Sequence, residues 1–128
     1  MSLQLDGIAW MPSPPLVPDY APIDEAHLDS MTLGDTRLQR EVLTMFAAQS
    51  EDLVARLAGW PADAAALAHT LKGSARAIGA TAVAEAAAEF EDALRRGEPA
   101  AEALAVLQAA VDHARVAIDE RLDRPDGF

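Results

Sequence analysis

The sequence predicts an all-α protein, an antiparallel four-helix bundle preceded by a short extra N-terminal helix. Three observations carry this. Alanine supplies 29 of the 128 residues and aromatics only 5%, a composition that favours helix over sheet. From Ile23 onward, apolar residues recur at three- and four-residue steps. Glycines punctuate the helical text at intervals that suit helix ends. The remaining large apolar residues, about 36, are enough for one core, and 128 residues are too few for two.

Residues 1–22 read as a tail. Five prolines (Pro12, Pro14, Pro15, Pro18, Pro22) fall within eleven residues and exclude helix or strand interior. Trp10, Leu16, Val17 and Tyr20 equip this extended segment to lie against the domain; a floppy leader is the equal alternative. The domain then spans 23–122. A short helix is expected over 24–31, marked by Ile23, Leu28 and Met31. Asp35 reads as the N-cap of a long helix to Ala58, with Leu38, Val42, Met45, Phe46, Gln49, Leu53 and Leu57 on its apolar stripe. Arg37–Glu41 and Asp52–Arg56 are i,i+4 pairs on that helix.

Gly59-Trp60-Pro61-Ala62 and Gly97-Glu98-Pro99-Ala100 each place a glycine after one helix and a proline at the start of the next. Gly79 is a third stop, with Thr81 as the following cap. The expected helices are 61–78, 81–96 and 98–122, the last with Leu104, Leu107, Val111, Ala114, Ile118 and Leu122 inward. Residues 123–128 form a second tail.

Composition also excludes function classes. There is no cysteine, hence no disulfide, thiol chemistry or Cys-based zinc site. No apolar run approaches a membrane span, and no Lys or Arg precedes Arg37, so a signal peptide is not expected and a cytoplasmic location is. Net charge is −11, which repels a nucleic acid backbone. The basic residues are nine Arg and one Lys, Lys72. Codon bias explains that skew as well as function does. No His/Asp/Glu group has metal-ligand spacing, so no metal site is expected, and no glycine-rich phosphate loop is present for ATP.

The chemistry points to 68–79. On a helical wheel Leu67, Leu71, Ser74 and Ile78 define the core side, and His69 falls about opposite. An ordinary surface histidine would do the same, but the neighbours are unusual. Ala62, Ala65 and Gly73 share its face and leave the imidazole uncovered. A glycine inside a helix costs about 1 kcal/mol relative to alanine, so close approach by another molecule is the natural reason for it. Lys72 and Arg76 add a small cationic island to an acidic protein. Imidazole, with an ordinary pKa of about 6.5, is a nucleophile near neutrality. Nucleophile, open approach and local positive charge suit phosphoryl transfer. Counting back from Gly79 sets His69 level with residues 89–91 of the next helix. There Val83, Ala87, Phe90 and Leu94 are inward and Glu85, Glu89 and Asp92 outward. Glu91, at the seam, is placed to accept from His69 Nδ1–H and leave Nε2 to attack. A boundary carboxylate that is solvated or paired with an arginine is the alternative. His27 and His113 read as exposed.

The run His69-Thr70-Leu71-Lys72-Gly73-Ser74-Ala75, with Gly79 and Phe90-Glu91, closely resembles the signature of the histidine-containing phosphotransfer (HPt) domain, over roughly 24–120. The resemblance implies that His69 carries phosphate between receiver domains, accepting it from one aspartyl phosphate and returning it to another. It implies Lys72 as stabiliser of the phosphoryl group and Gly73 as the point of close docking. Members of the family often have glutamine where this chain has Glu91. Mg2+ is expected only in the partner receiver, those of hybrid histidine kinases among them, and the chain itself needs no cofactor. Sensor-kinase dimerisation helices also phosphorylate a helical histidine, but there an acidic residue and then a proline follow; here Thr70 follows, with no proline before Pro99. A monomeric carrier is expected. The alternative function is a non-catalytic helix-bundle adaptor that binds or sequesters receivers.

Overall fold

The computed structural model describes residues 21–124, which form five helices: α1 (Glu25–Thr32), α2 (Thr36–Leu57), α3 (Ala64–Ile78), α4 (Thr81–Arg96) and α5 (Ala101–Leu122). Helices α2 to α5 make the expected antiparallel bundle, and α1 packs across α2 and α3. The proposed packing of Trp10, Leu16, Val17 and Tyr20 falls outside the described residues, as does 125–128.

Side-chain caps and glycines set four of the helix ends. Asp24 and Asp35 cap α1 and α2, their carboxylates accepting from His27 N and Leu38 N at 3.1 Å each. Gly79 and Gly97 end α3 and α4 in the left-handed conformation, at φ 85° and 69°. The proline expectation is corrected: α3 begins at Ala64 and α5 at Ala101, so Pro61 and Pro99 precede their helices instead of opening them. Pro61 shapes a turn in which its carbonyl accepts from Ala64 N at 3.1 Å. Thr81 does not cap α4; Ala80 occupies that position without a side-chain bond. At the end of α2 the residue with positive φ is Trp60 (52°), not Gly59.

The core is built from α3 and α4, whose mutual contact is the most extensive in the bundle. Ala68, Ala75 and Ala87 are fully buried, and their small side chains let the helices approach closely. Leu71, Val83 and Phe90 fill this seam, and Leu107, Val111 and Ile118 close it from α5. The stripe assigned to α2 holds at Phe46, Leu53 and Leu57 and fails at its other positions. Its buried face is Gln39, Leu43, Phe46, Ser50, Leu53 and Leu57, while Leu38, Met45 and Gln49 are exposed and Val42 half-buried. Two polar residues occupy inward positions because they are satisfied there. Gln39 Nε2 donates to Asp29 Oδ1 (2.7 Å) and Thr32 Oγ1 (3.0 Å), and its Oε1 accepts from Arg121 (2.7 Å). Ser50 Oγ donates to Ala47 O at 3.2 Å.

The two ends of the helical unit meet. Asp24 N donates to Gly79 O (2.8 Å), Arg40 donates to Leu122 O (2.7 Å), and Arg121 on α5 pairs with Glu25 on α1 at 3.2 Å. His27 is exposed, as expected, yet not idle: its Nε2 lies 3.0 Å from Ala77 O and ties α1 to the last turn of α3. His113 is exposed.

Candidate functional site

Helix α3 turns its core side through Leu67, Ala68, Leu71, Ala75 and Ile78, which leaves His69 on the outer face with its side chain 64% exposed. Ser74 is not a core residue. Ala75 takes that position, and Ser74 lines a shallow groove between α2 and α3 with Val42, Met45, Phe46, Gln49, Ala77 and Ile78. Gly73 is exposed, and a Cβ built on it meets nothing within 4 Å. Among the described residues, nothing therefore calls for a glycine there. Ala62 and Ala65 are also small and at least partly exposed, although Ala62 sits in the turn before α3 and not on its face.

Glu91 projects from α4 into the seam and is only 3% exposed. Three side chains converge on its carboxylate. His69 Nδ1 lies 3.1 Å from Oε2, and Lys72 Nζ donates to Oε1 at 2.7 Å. Arg95 donates to Oε2 through Nε (3.0 Å) and a terminal nitrogen (2.6 Å). A buried carboxylate is costly unless bonded and charge-matched, and this one is both. The Lys72 bond, with help from Arg95 and His69, holds its carboxyl down at about 2, against the upward push of burial. An ionised acceptor facing Nδ1 favours the tautomer with a proton there and the Nε2 lone pair free.

Glu91 thus faces the imidazole and is also paired with an arginine, but it is buried and not the boundary residue of the alternative reading. Arg95 was missed. Its only signal is the i,i+4 spacing from Glu91, which matters only once Glu91 is known to be buried. Lys72 is half-buried against Glu91. Arg76 does not belong to this cluster. It lies two helical turns beyond His69, about 10.5 Å along the axis, and lines a separate cleft with Asp24, His27, Glu85 and Glu89. Trp60, 48% exposed, packs at a tilt on Phe90, with ring centroids 6.0 Å apart. Among the described residues no group of three or more His, Cys, Asp or Glu side chains could hold a metal ion.

The bundle thus presents an outward histidine whose inner nitrogen faces a buried carboxylate. The Hpt domain model matches residues 41–117, from within α2 to within α5, and the chain belongs to that family. The family's role is histidine phosphotransfer in two-component phosphorelays, where its members interact with receiver domains. The match leaves out α1, which the sequence resemblance had included. Searches of curated proteins and of solved structures return no match. Among the described residues no helix is long and apolar enough to cross a membrane.

Proposed function

We propose that this chain is a phosphorelay intermediate in which His69 accepts a phosphoryl group from the aspartyl phosphate of one receiver domain and passes it to another. The observation that carries the reading is the exposed imidazole with Nδ1 engaged by Glu91. Nε2 attacks phosphorus, and the receiver's aspartate leaves with the electron pair of the broken P–O bond. Glu91 positions the ring. Lys72, one turn further along α3, carries the positive charge that the phosphoryl oxygens meet. Gly73, Ala65 and Ala62 leave room for the receiver, and the α2/α3 groove extends the contact face. Arg76, two turns away, serves the docking surface and not the reacting group. Mg2+ belongs to the receiver, and this chain works without a cofactor of its own, as a cytoplasmic monomer. Hybrid histidine kinases are one source of its receivers.

The test is incubation with a phosphorylated receiver domain. The chain should acquire acid-labile, base-stable label, and His69→Gln should acquire none while still binding the receiver. Binding without label on the unaltered chain would leave only an adaptor; label on His69→Gln would place the acceptor elsewhere.

A further inference from the structure

The carboxylate at the imidazole raises a question of charge. Glu91 cancels one of the two cations bonded to it, so Lys72, Arg95 and Glu91 together present one positive charge to the ring. A phosphoryl group on Nε2 brings two negative charges. With glutamine in place of Glu91, both cations would be available to balance it and the ring could be neutral. With glutamate, the missing charge can come from the ring itself. We propose that Glu91 keeps the phosphorylated His69 ring protonated on Nδ1, so that this chain carries its phosphoryl group as a short-lived, readily donated phosphoimidazolium. The proposal rests on His69 being the acceptor.

The atoms balance. As the Nε2–P bond forms, the P–O bond to the receiver's aspartate breaks and the carboxylate departs with the bonding pair. No proton leaves the ring. It passes from neutral to cationic, and Glu91 Oε2, 3.1 Å from Nδ1, faces the new charge directly. On release to water or a second aspartate, the protonated ring leaves as neutral imidazole. An unprotonated ring would have to leave as an imidazolate anion, a far poorer leaving group.

The charged groups at the ring come from two helices: Lys72 on α3, and Glu91 and Arg95 on α4. Glu89 and Asp92, beside Glu91 in the chain, are exposed. On α2, which packs against α3, the charged residues near the level of His69 by antiparallel count are Glu51, Asp52 and Arg56; Asp52 and Arg56 pair with each other at 3.7 Å, and Glu51 pairs with Arg115 of α5 at 3.2 Å.

The experiment phosphorylates the full chain with phosphoramidate. It then follows the His69 ring nitrogens by NMR against pH and the loss of phosphate against time. The phosphorylated ring of the unaltered chain should release its Nδ1 proton about one pH unit higher than that of Glu91→Gln. Above that pH its phosphoryl group should be lost up to about tenfold faster. Arg95→Gln, at an exposed side chain, should move both readouts the opposite way from Glu91→Gln, because it leaves more of the Glu91 charge for the ring. A purely structural role would not produce opposite signs. Equal titration and equal lifetimes in all three proteins overturn this inference alone. Failure to find phosphate on His69 overturns the acceptor reading and this inference with it.

Discussion

Gly73→Ala separates what the fold needs from what a partner needs. Gly73 lies in the interior of α3 with helical backbone, is exposed, and has nothing within 4 Å of where a Cβ would stand. The methyl group therefore meets no clash, and its effect on the isolated chain is the helix propensity difference, a gain of about 0.8–1.0 kcal/mol. For a domain of this size that raises the melting temperature by about 4–6 °C. Gly97→Ala is the contrasting control. Its Cβ also meets nothing, but its φ of 69° is left-handed, so alanine there should lower stability by about 1 kcal/mol. In the proposed docking, the methyl at Gly73 falls on the face that the receiver approaches. Overpacking a tight contact costs about 1–3 kcal/mol, which weakens receiver binding by about fivefold or more and slows transfer with it. Thermal melts and a receiver titration give both numbers from one preparation. A Gly73→Ala protein that melts lower than the parent would show that the position is not open. One that melts higher but binds and transfers as well as the parent would refute close approach as the reason for the glycine.

Acid should probe Glu91. Its carboxyl is held at about 2 instead of 4.5, so the folded chain gains stability from it that is fully present above pH 4.5 and is lost as pH falls toward 2. Melts taken through that window should lose more stability in the parent than in Glu91→Gln; parallel curves would contradict this. Gln39→Ala leaves Thr32, Asp29 and Arg121 without a shared partner and should cost about 1–3 kcal/mol in urea unfolding, with amide exchange rising first in α1. Leu71→Ala, at a fully buried position between α3 and α4, should cost about 2–5 kcal/mol by the same measurement.

Helices α3 and α4 were legible because their core faces are apolar and their ends are glycines in left-handed geometry. From that register the position of His69 and the level of Glu91 followed by counting. Helix α2 was not legible in the same way. Hydropathy favours Leu38, Met45 and Gln49 over Gln39, Leu43 and Ser50 no more than weakly, and what reverses the choice is tertiary: partners for Gln39 from α1 and α5. The prolines misled because their fixed φ suits the turn before a helix as well as its first residue. Arg76 was grouped with Lys72 by wheel angle, which ignores distance along the axis. Arg95 was missed since an exposed i,i+4 pair ordinarily means little; it matters here because the carboxylate it reaches is out of water.

The ion pair between Glu25 and Arg121 brings the first and last helices of the bundle to one pole, the pole of Gly79. His69 stands ten residues from that turn, about 15 Å along α3. Segments joined directly at Glu25 and at Leu122 would start from a single anchorage, set apart along α3 from the reacting ring. For the same reason a circularly permuted version, with 25 and 122 bridged and the chain reopened at Gly97, should retain its phosphate-carrying face.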